Sequence, residues 1–132
     1  MCAIVTLQLM RASRKHAFVV IAYSLMPDHV HVLVEGLQND SDFLKWLDLF
    51  RQLSGFWGKR HCGFDVWQEG YWDYTLRDQD AIPGIASYIV WNPVVAGLVE
   101  RPEDYPFTGS ERFSIAELAA VPPQRPFGKR RL

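Results

Sequence analysis

Two runs of β-branched and aromatic residues, split by Met26-Pro27-Asp28, constrain this chain more than any other feature. The first, from Ala17 to Leu25, contains Phe18, Val19, Val20, Ile21 and Tyr23 and reads as a buried strand. The second, from His29 to Glu35, ends at Gly36, and so short a connection predicts an antiparallel hairpin. A helix is expected from Ser41, its cap, to His61, with Phe43, Leu47, Phe50, Leu53 and Trp57 on one face. Val66 to Trp72 is aromatic and extended. Asp78 or Asp80 can cap a further helix reaching Asn92, with Pro83 tolerated in its first turn and Pro93 breaking it. At the N-terminus, Ile4, Leu7 and Met10 ahead of Arg11, Arg14 and Lys15 suit a helix, although Ile4-Val5-Thr6 equally begins a strand. This order of elements describes an α+β sandwich, an antiparallel sheet covered by helices.

The chain has 132 residues, of which 48 % are apolar and 14 % aromatic, enough for one compact core. Two cysteines, Cys2 and Cys62, are too few for a disulfide framework and match no metal motif, so a reducing, cytoplasmic setting is expected. No apolar run approaches the roughly 20 residues that cross a bilayer, and no export leader opens the chain. The formal net charge is −1, but four basic residues lie beyond residue 124, which leaves the first 124 residues at −5. A polyanion would therefore have to be met by local patches. The proline-rich, basic segment from Val121 onward reads as a mobile tail.

His29-Val30-His31 is the sharpest chemical feature, because the period of a strand sends both imidazoles to one face, where two can chelate one metal ion. The plainer alternative is two polar-face histidines with ordinary hydrogen bonds. Tyr88 and Asn92 are four residues apart and share a helical face. A metal that polarises a phosphate makes transfer to a tyrosine feasible, and the Asn92 oxygen can be a third ligand. Against this, Tyr88 can simply pack in the core while Asn92 caps the helix ahead of Pro93.

Three blocks carry a family resemblance. Ala22-Tyr23-Ser24-Leu25-Met26-Pro27-Asp28-His29-Val30-His31-Val32-Leu33-Val34 resembles the signature of the single-tyrosine HUH transposases, in particular the REP-associated tyrosine transposases of bacteria. Val66-Trp67-Gln68-Glu69-Gly70-Tyr71-Trp72-Asp73 with Leu76-Arg77-Asp78 is similar to a second family segment. The third runs from Tyr88-Ile89 through Asn92-Pro93-Val94 and Ala96-Gly97-Leu98-Val99 to Arg101-Pro102-Glu103-Asp104-Tyr105-Pro106. The similarity covers residues 17–110, so that 1–110 reads as an HUH domain and 111–132 as a C-terminal extension.

The resemblance implies a ferredoxin-like fold that cuts and rejoins single-stranded DNA beside a hairpin through a 5′-phosphotyrosine. It makes Tyr88 the nucleophile and His29, His31 and Asn92 the ligands of Mg²⁺ or Mn²⁺, the nitrogen donors favouring Mn²⁺. Arg77, Lys59, Arg60 and the tail residues Lys129, Arg130 and Arg131 are candidate phosphate contacts, and Trp67, Tyr71 or Trp72 can stack on bases. Each also has a plain reading, as a local ion pair, a solvated helix end or tail, or core. Only sixteen residues precede Ala17, too few for both the strand and the helix that open the family domain. The first strand is therefore expected to be missing, and a protein that is monomeric in the family could dimerise through the exposed sheet edge. The alternatives in function are an inactive remnant that still binds hairpin DNA, and a small metal-binding interaction domain.

Overall fold

The computed structural model describes residues 4–27, 29–62, 72–74, 81–125 and 129–131. The fold is α+β, with a three-stranded antiparallel sheet and helices. The chain divides into two units, Met1–Val20 with Val34–Gln68, and Ile21–Leu33 with Glu69–Leu132, so the division falls within the hairpin strands β1 (Phe18–Leu25) and β2 (Val30–Gly36).

In the first unit, α1 (Ile4–Lys15) packs against α2 (Phe43–Cys62). The N-terminal segment is thus a helix, but its buried face is Val5, Leu9 and Ala12, not the expected Ile4, Leu7 and Met10. A strict three-residue spacing drifts around a helix of 3.6 residues per turn, and it leaves Leu7 exposed. The turn out of α1 passes through Ala17 at φ 57°, a left-handed conformation that ends the helix. Asp42, not Ser41, caps α2: its Oδ1 accepts the amides of Leu44 and Lys45 at 3.0 and 3.2 Å. Ser41 instead donates to the Ala17 carbonyl at 2.9 Å and accepts the Gln38 amide at 3.2 Å, bracing the loop before the helix.

Trp46 is the hub of this core. It is 2 % exposed, stacks on Phe50 at 5.7 Å between ring centroids and meets Phe18 and Phe43 at 5.9 and 5.5 Å. Burying an indole requires a partner for its N–H. Trp46 Nε1 donates to Ser13 Oγ at 3.0 Å, and Ser13 donates onward to the Leu9 carbonyl at 2.8 Å. The contributors to the α2 core are therefore Trp46, Leu47, Phe50 and Ser54, whereas Phe43, Leu53 and Trp57 are half-buried.

In the second unit, β4 (Thr108–Gly109) pairs antiparallel with β1, with Tyr23 opposite Gly109 and Ser24 opposite Thr108. The strand order is β2-β1-β4. Ser24, fully buried, shares a hydrogen bond with Thr108 Oγ1 at 3.0 Å. Gly109 leaves room for Tyr23: an added Cβ would sit 2.5 to 2.7 Å from the Tyr23 ring and hydroxyl, so the ring would have to move.

Helix α3 (Ile82–Val95) starts from Ala81, which provides no side-chain cap, and runs through Pro93 instead of breaking at Asn92. The short helix α4 (Ile115–Ala119) opens with a reciprocal capping box between Ser114 and Glu117 and packs on α3 through a chain segment that buries Leu118. The basic residues at the C-terminus are not an unpaired tail: β5 (Lys129–Arg131) pairs antiparallel with β3 (Trp72–Tyr74), Asp73 lying opposite Arg130 in the register. Pairing satisfies backbone donors and acceptors that a free tail would leave to solvent. Of the strand expected from Val66 to Trp72, Trp72 opens β3, while Val66 to Tyr71 and the caps Asp78 and Asp80 lie outside the described residues. Among the described residues, no helix is long and apolar enough to cross a membrane.

Candidate active site

The turn that carries the histidine pair is held on both sides. Met26 N–H donates to the His29 carbonyl at 2.8 Å, closing the hairpin. The preceding residue, Leu25, donates its amide to the Phe107 carbonyl at 3.0 Å and accepts the Tyr105 hydroxyl at 2.6 Å. Sequence reasoning missed Tyr105 as a support of this turn. Its partner is a backbone carbonyl 80 residues away, which no periodicity reports.

His29 and His31 converge. Their Nε2 atoms are 2.9 Å apart and the rings meet edge to face at 4.6 Å between centroids. At that distance the Nε2 of one ring can donate a hydrogen bond to the lone pair of the other. Half-burial, followed by the neighbouring His29, lowers the His31 pKa from 6.5 to about 4. His31 is therefore neutral at pH 7, the form in which an imidazole binds metal. The separation also fits a single ion: two nitrogens at ~2.1 Å from a common centre and at right angles are about 3.0 Å apart. Among the described residues, no group of three or more His, Cys, Asp or Glu side chains converges, so among them a further ligand would be of another type.

Tyr88 meets this pair. Its half-buried ring stands edge to face with His31, 6.3 Å between centroids at 83°. Helix α3 thus presents the Tyr88 ring to His31, the second residue of β2. Asn92 follows one turn later, and its Nδ2 donates to the Tyr88 carbonyl at 2.8 Å. The amide nitrogen is committed to the helix, so Asn92 can serve a metal only through Oδ1. The structure accordingly brings His29, His31 and Tyr88 together, with Asn92 on the same face of α3.

The basic candidates divide differently. Lys59 and Arg60 are exposed near the end of α2, in the first unit, with the Arg60 guanidinium 6.0 Å above the Phe56 ring. Lys129, Arg130 and Arg131 form β5 in the second unit. Arg77, Trp67 and Tyr71 lie outside the described residues.

No family model matches the chain. It is 27 % identical over 114 residues to a protein assigned to the REP-associated tyrosine transposases in Haemophilus influenzae, and 26 % identical over 106 residues to the REP-associated tyrosine transposase of Escherichia coli. This chain is a relative of the REP-associated tyrosine transposases. The two alignments include 78 and 79 % of it, and they span 65 and 61 % of the relatives' own lengths. A solved structure of a REP-associated tyrosine transposase bound to a REP hairpin superposes with a TM-score of 0.66 at 24 % identity. It covers 80 % of this chain and 62 % of that one. At that identity the superposition speaks for the fold.

Proposed function

We propose that this chain cuts and rejoins single-stranded DNA beside a REP-like hairpin, with Tyr88 as the nucleophile. A divalent cation, Mg²⁺ or Mn²⁺, belongs to His29 and His31, with Asn92 Oδ1 as the further donor. When bound, that cation supplies Lewis-acid polarisation of the scissile phosphate. The Tyr88 oxygen attacks phosphorus, an O–P bond forms, and the bond to the 3′ oxygen breaks. The phenolic proton passes to solvent and the departing oxygen leaves as a 3′-hydroxyl. Because the phosphodiester becomes a phosphotyrosine ester, attack by a 3′-hydroxyl reverses the step without a nucleotide cofactor. Such a substrate puts the work in the cytoplasm.

The observation that carries this reading is the edge-to-face meeting of Tyr88 with a histidine whose Nε2 lies 2.9 Å from a second imidazole. A structural tyrosine has no need of two convergent ring nitrogens. The likeness to REP-associated tyrosine transposases, one of them solved with a REP hairpin, supports the choice of substrate.

The test is a denaturing gel after incubation with labelled hairpin single-stranded DNA and Mn²⁺. A covalent adduct is expected from the wild type, none from Tyr88→Phe, and a loss of at least about 100-fold from His31→Ala, the scale of several kcal/mol of charge stabilisation. Equal adduct from Tyr88→Phe, or hairpin binding without adduct at every metal concentration, overturns the proposal.

A further inference from the structure

Helix α3 buries residues on nearly every side: Gly84, Ile85, Ala86, Ser87, Ile89, Val90 and Pro93. Apolar burial is non-directional, so a helix that is apolar all round has no single stripe to fix its rotation about its own axis. Yet that rotation decides where Tyr88 points. A roll of roughly 10° carries a side-chain tip at the ~5–6 Å outer radius of a helix by about 1 Å. A misplacement of about 1 Å can cost on the order of 100-fold in rate.

Directional bonds to residues 119–124 supply what burial does not. Trp91 Nε1 donates to the Ala119 carbonyl at 3.1 Å, Ser87 Oγ donates to the Val121 carbonyl at 2.6 Å, and the Gln124 amide donates to the Gly84 carbonyl at 2.9 Å. Gly84, Ser87 and Trp91 stand three and four residues apart, on one face of the helix. Their partners follow in reverse order, so the segment runs antiparallel along α3 for two turns. Contact is closest at Gly84, where an added Cβ would lie 2.9 Å from the Gln124 Cβ and 3.1 Å from its Oε1. The segment is itself anchored upstream by the Ser114/Glu117 capping box and by Leu118, 2 % exposed.

Tyr88 and Asn92 each follow one of the strapped residues, Ser87 and Trp91, by a single position, about 100° around the helix. Fixing Ser87 and Trp91 therefore fixes the direction of Tyr88. We propose that residues 119–124 are a strap that sets the roll of α3, with Gly84, Ser87 and Trp91 as positioning residues for Tyr88. The proposal builds on the reading of Tyr88 as nucleophile, but its geometry is measurable without any reaction.

The experiment compares wild type, Gly84→Ala and the double variant Gly84→Ala/Gln124→Gly, which removes the group that the new methyl would strike. Two readouts are taken: the nuclear Overhauser cross-peak between the His31 and Tyr88 ring protons in the DNA-free protein, and the rate of adduct formation. Gly84→Ala is expected to weaken the cross-peak at least two-fold and to slow the adduct at least ten-fold. The double variant is expected to restore both. An undiminished cross-peak in Gly84→Ala, or no recovery in the double variant, overturns the strap. If Gly84→Ala does not fold, Ser87→Ala with Trp91→Phe removes two of the bonds without adding volume, and an undiminished cross-peak there overturns it equally. Absence of adduct from the wild type would refute the nucleophile, whereas the cross-peak and its rescue would still decide the strap.

Discussion

His31 meets two penalties when it takes a proton, the loss of hydration on half-burial and then the charge of His29, and its pKa falls to about 4. In the unfolded chain the same imidazole titrates near its ordinary value of 6.5. Between these values the unfolded state holds a proton that the folded state does not, so stability rises with pH across that window. Its contribution is complete above pH 6.5 and is lost as pH falls toward 4, by about 3 kcal/mol in all. Urea unfolding at pH 4, 5, 6 and 7 should show this slope in the wild type and a flatter one in His31→Gln; equal slopes would refute the shift. The convergence of His29 and His31 was legible beforehand, because the two-residue period of extended backbone puts both on one face. The role of the Asn92 amide was not legible: its bond to the Tyr88 carbonyl depends on the helix continuing past it. Nor was Trp46 as a core hub, since its burial depends on Ser13 standing opposite to accept the indole N–H.

Pro93 illustrates why element ends resist sequence reasoning. Proline removes one backbone donor and crowds the carbonyl four residues earlier, which argues for a break at Asn92. The helix nevertheless continues to Val95, with the Asn92 side chain adding a bond to the Tyr88 carbonyl one residue before the disrupted position. Its end is then sealed by two bonds, Leu98 N–H to the Pro93 carbonyl at 2.9 Å and Gly97 N–H to the Val94 carbonyl at 3.0 Å. That is the Schellman arrangement, and it requires the left-handed φ of 79° found at Gly97. An added Cβ there meets nothing within 4 Å, so Gly97→Ala tests the backbone alone. It is expected to destabilise the protein by about 1 kcal/mol, read as a lower urea midpoint at unchanged slope. No change would mean that the helix end does not depend on that conformation. The two strands of the hairpin and helices α1 and α2 were readable because their apolar residues repeat over many positions. Ser41 and Asp42 were not separable as caps, because either residue type suits the position and the choice rests on the Ala17 carbonyl that engages Ser41.

At the scale of the molecule, charge and proposed substrate pull against each other. Fourteen basic residues against fifteen acidic ones give no general attraction for a polyanion. The α+β class was legible because the succession of helical and extended runs is a property of the whole chain. The pairing of the last basic residues into β5 was not, since strand pairing is decided by a partner distant in sequence. If the chain engages hairpin DNA, affinity has to come from a few local cations, and salt dependence counts them. On single strands each phosphate contact contributes about 0.7 to the slope of log K against log salt. Lys129, Arg130 and Arg131 are consecutive on one short strand, and we propose them as such contacts. Replacing all three with Gln is expected to lower the slope by about 2 and to weaken binding of unrelated single strands as much as that of the hairpin, because phosphate contacts carry no sequence information. Fluorescence anisotropy between 50 and 300 mM salt measures both quantities. An unchanged slope would assign these residues to solvent, and selective loss of hairpin binding would assign them to recognition of its shape.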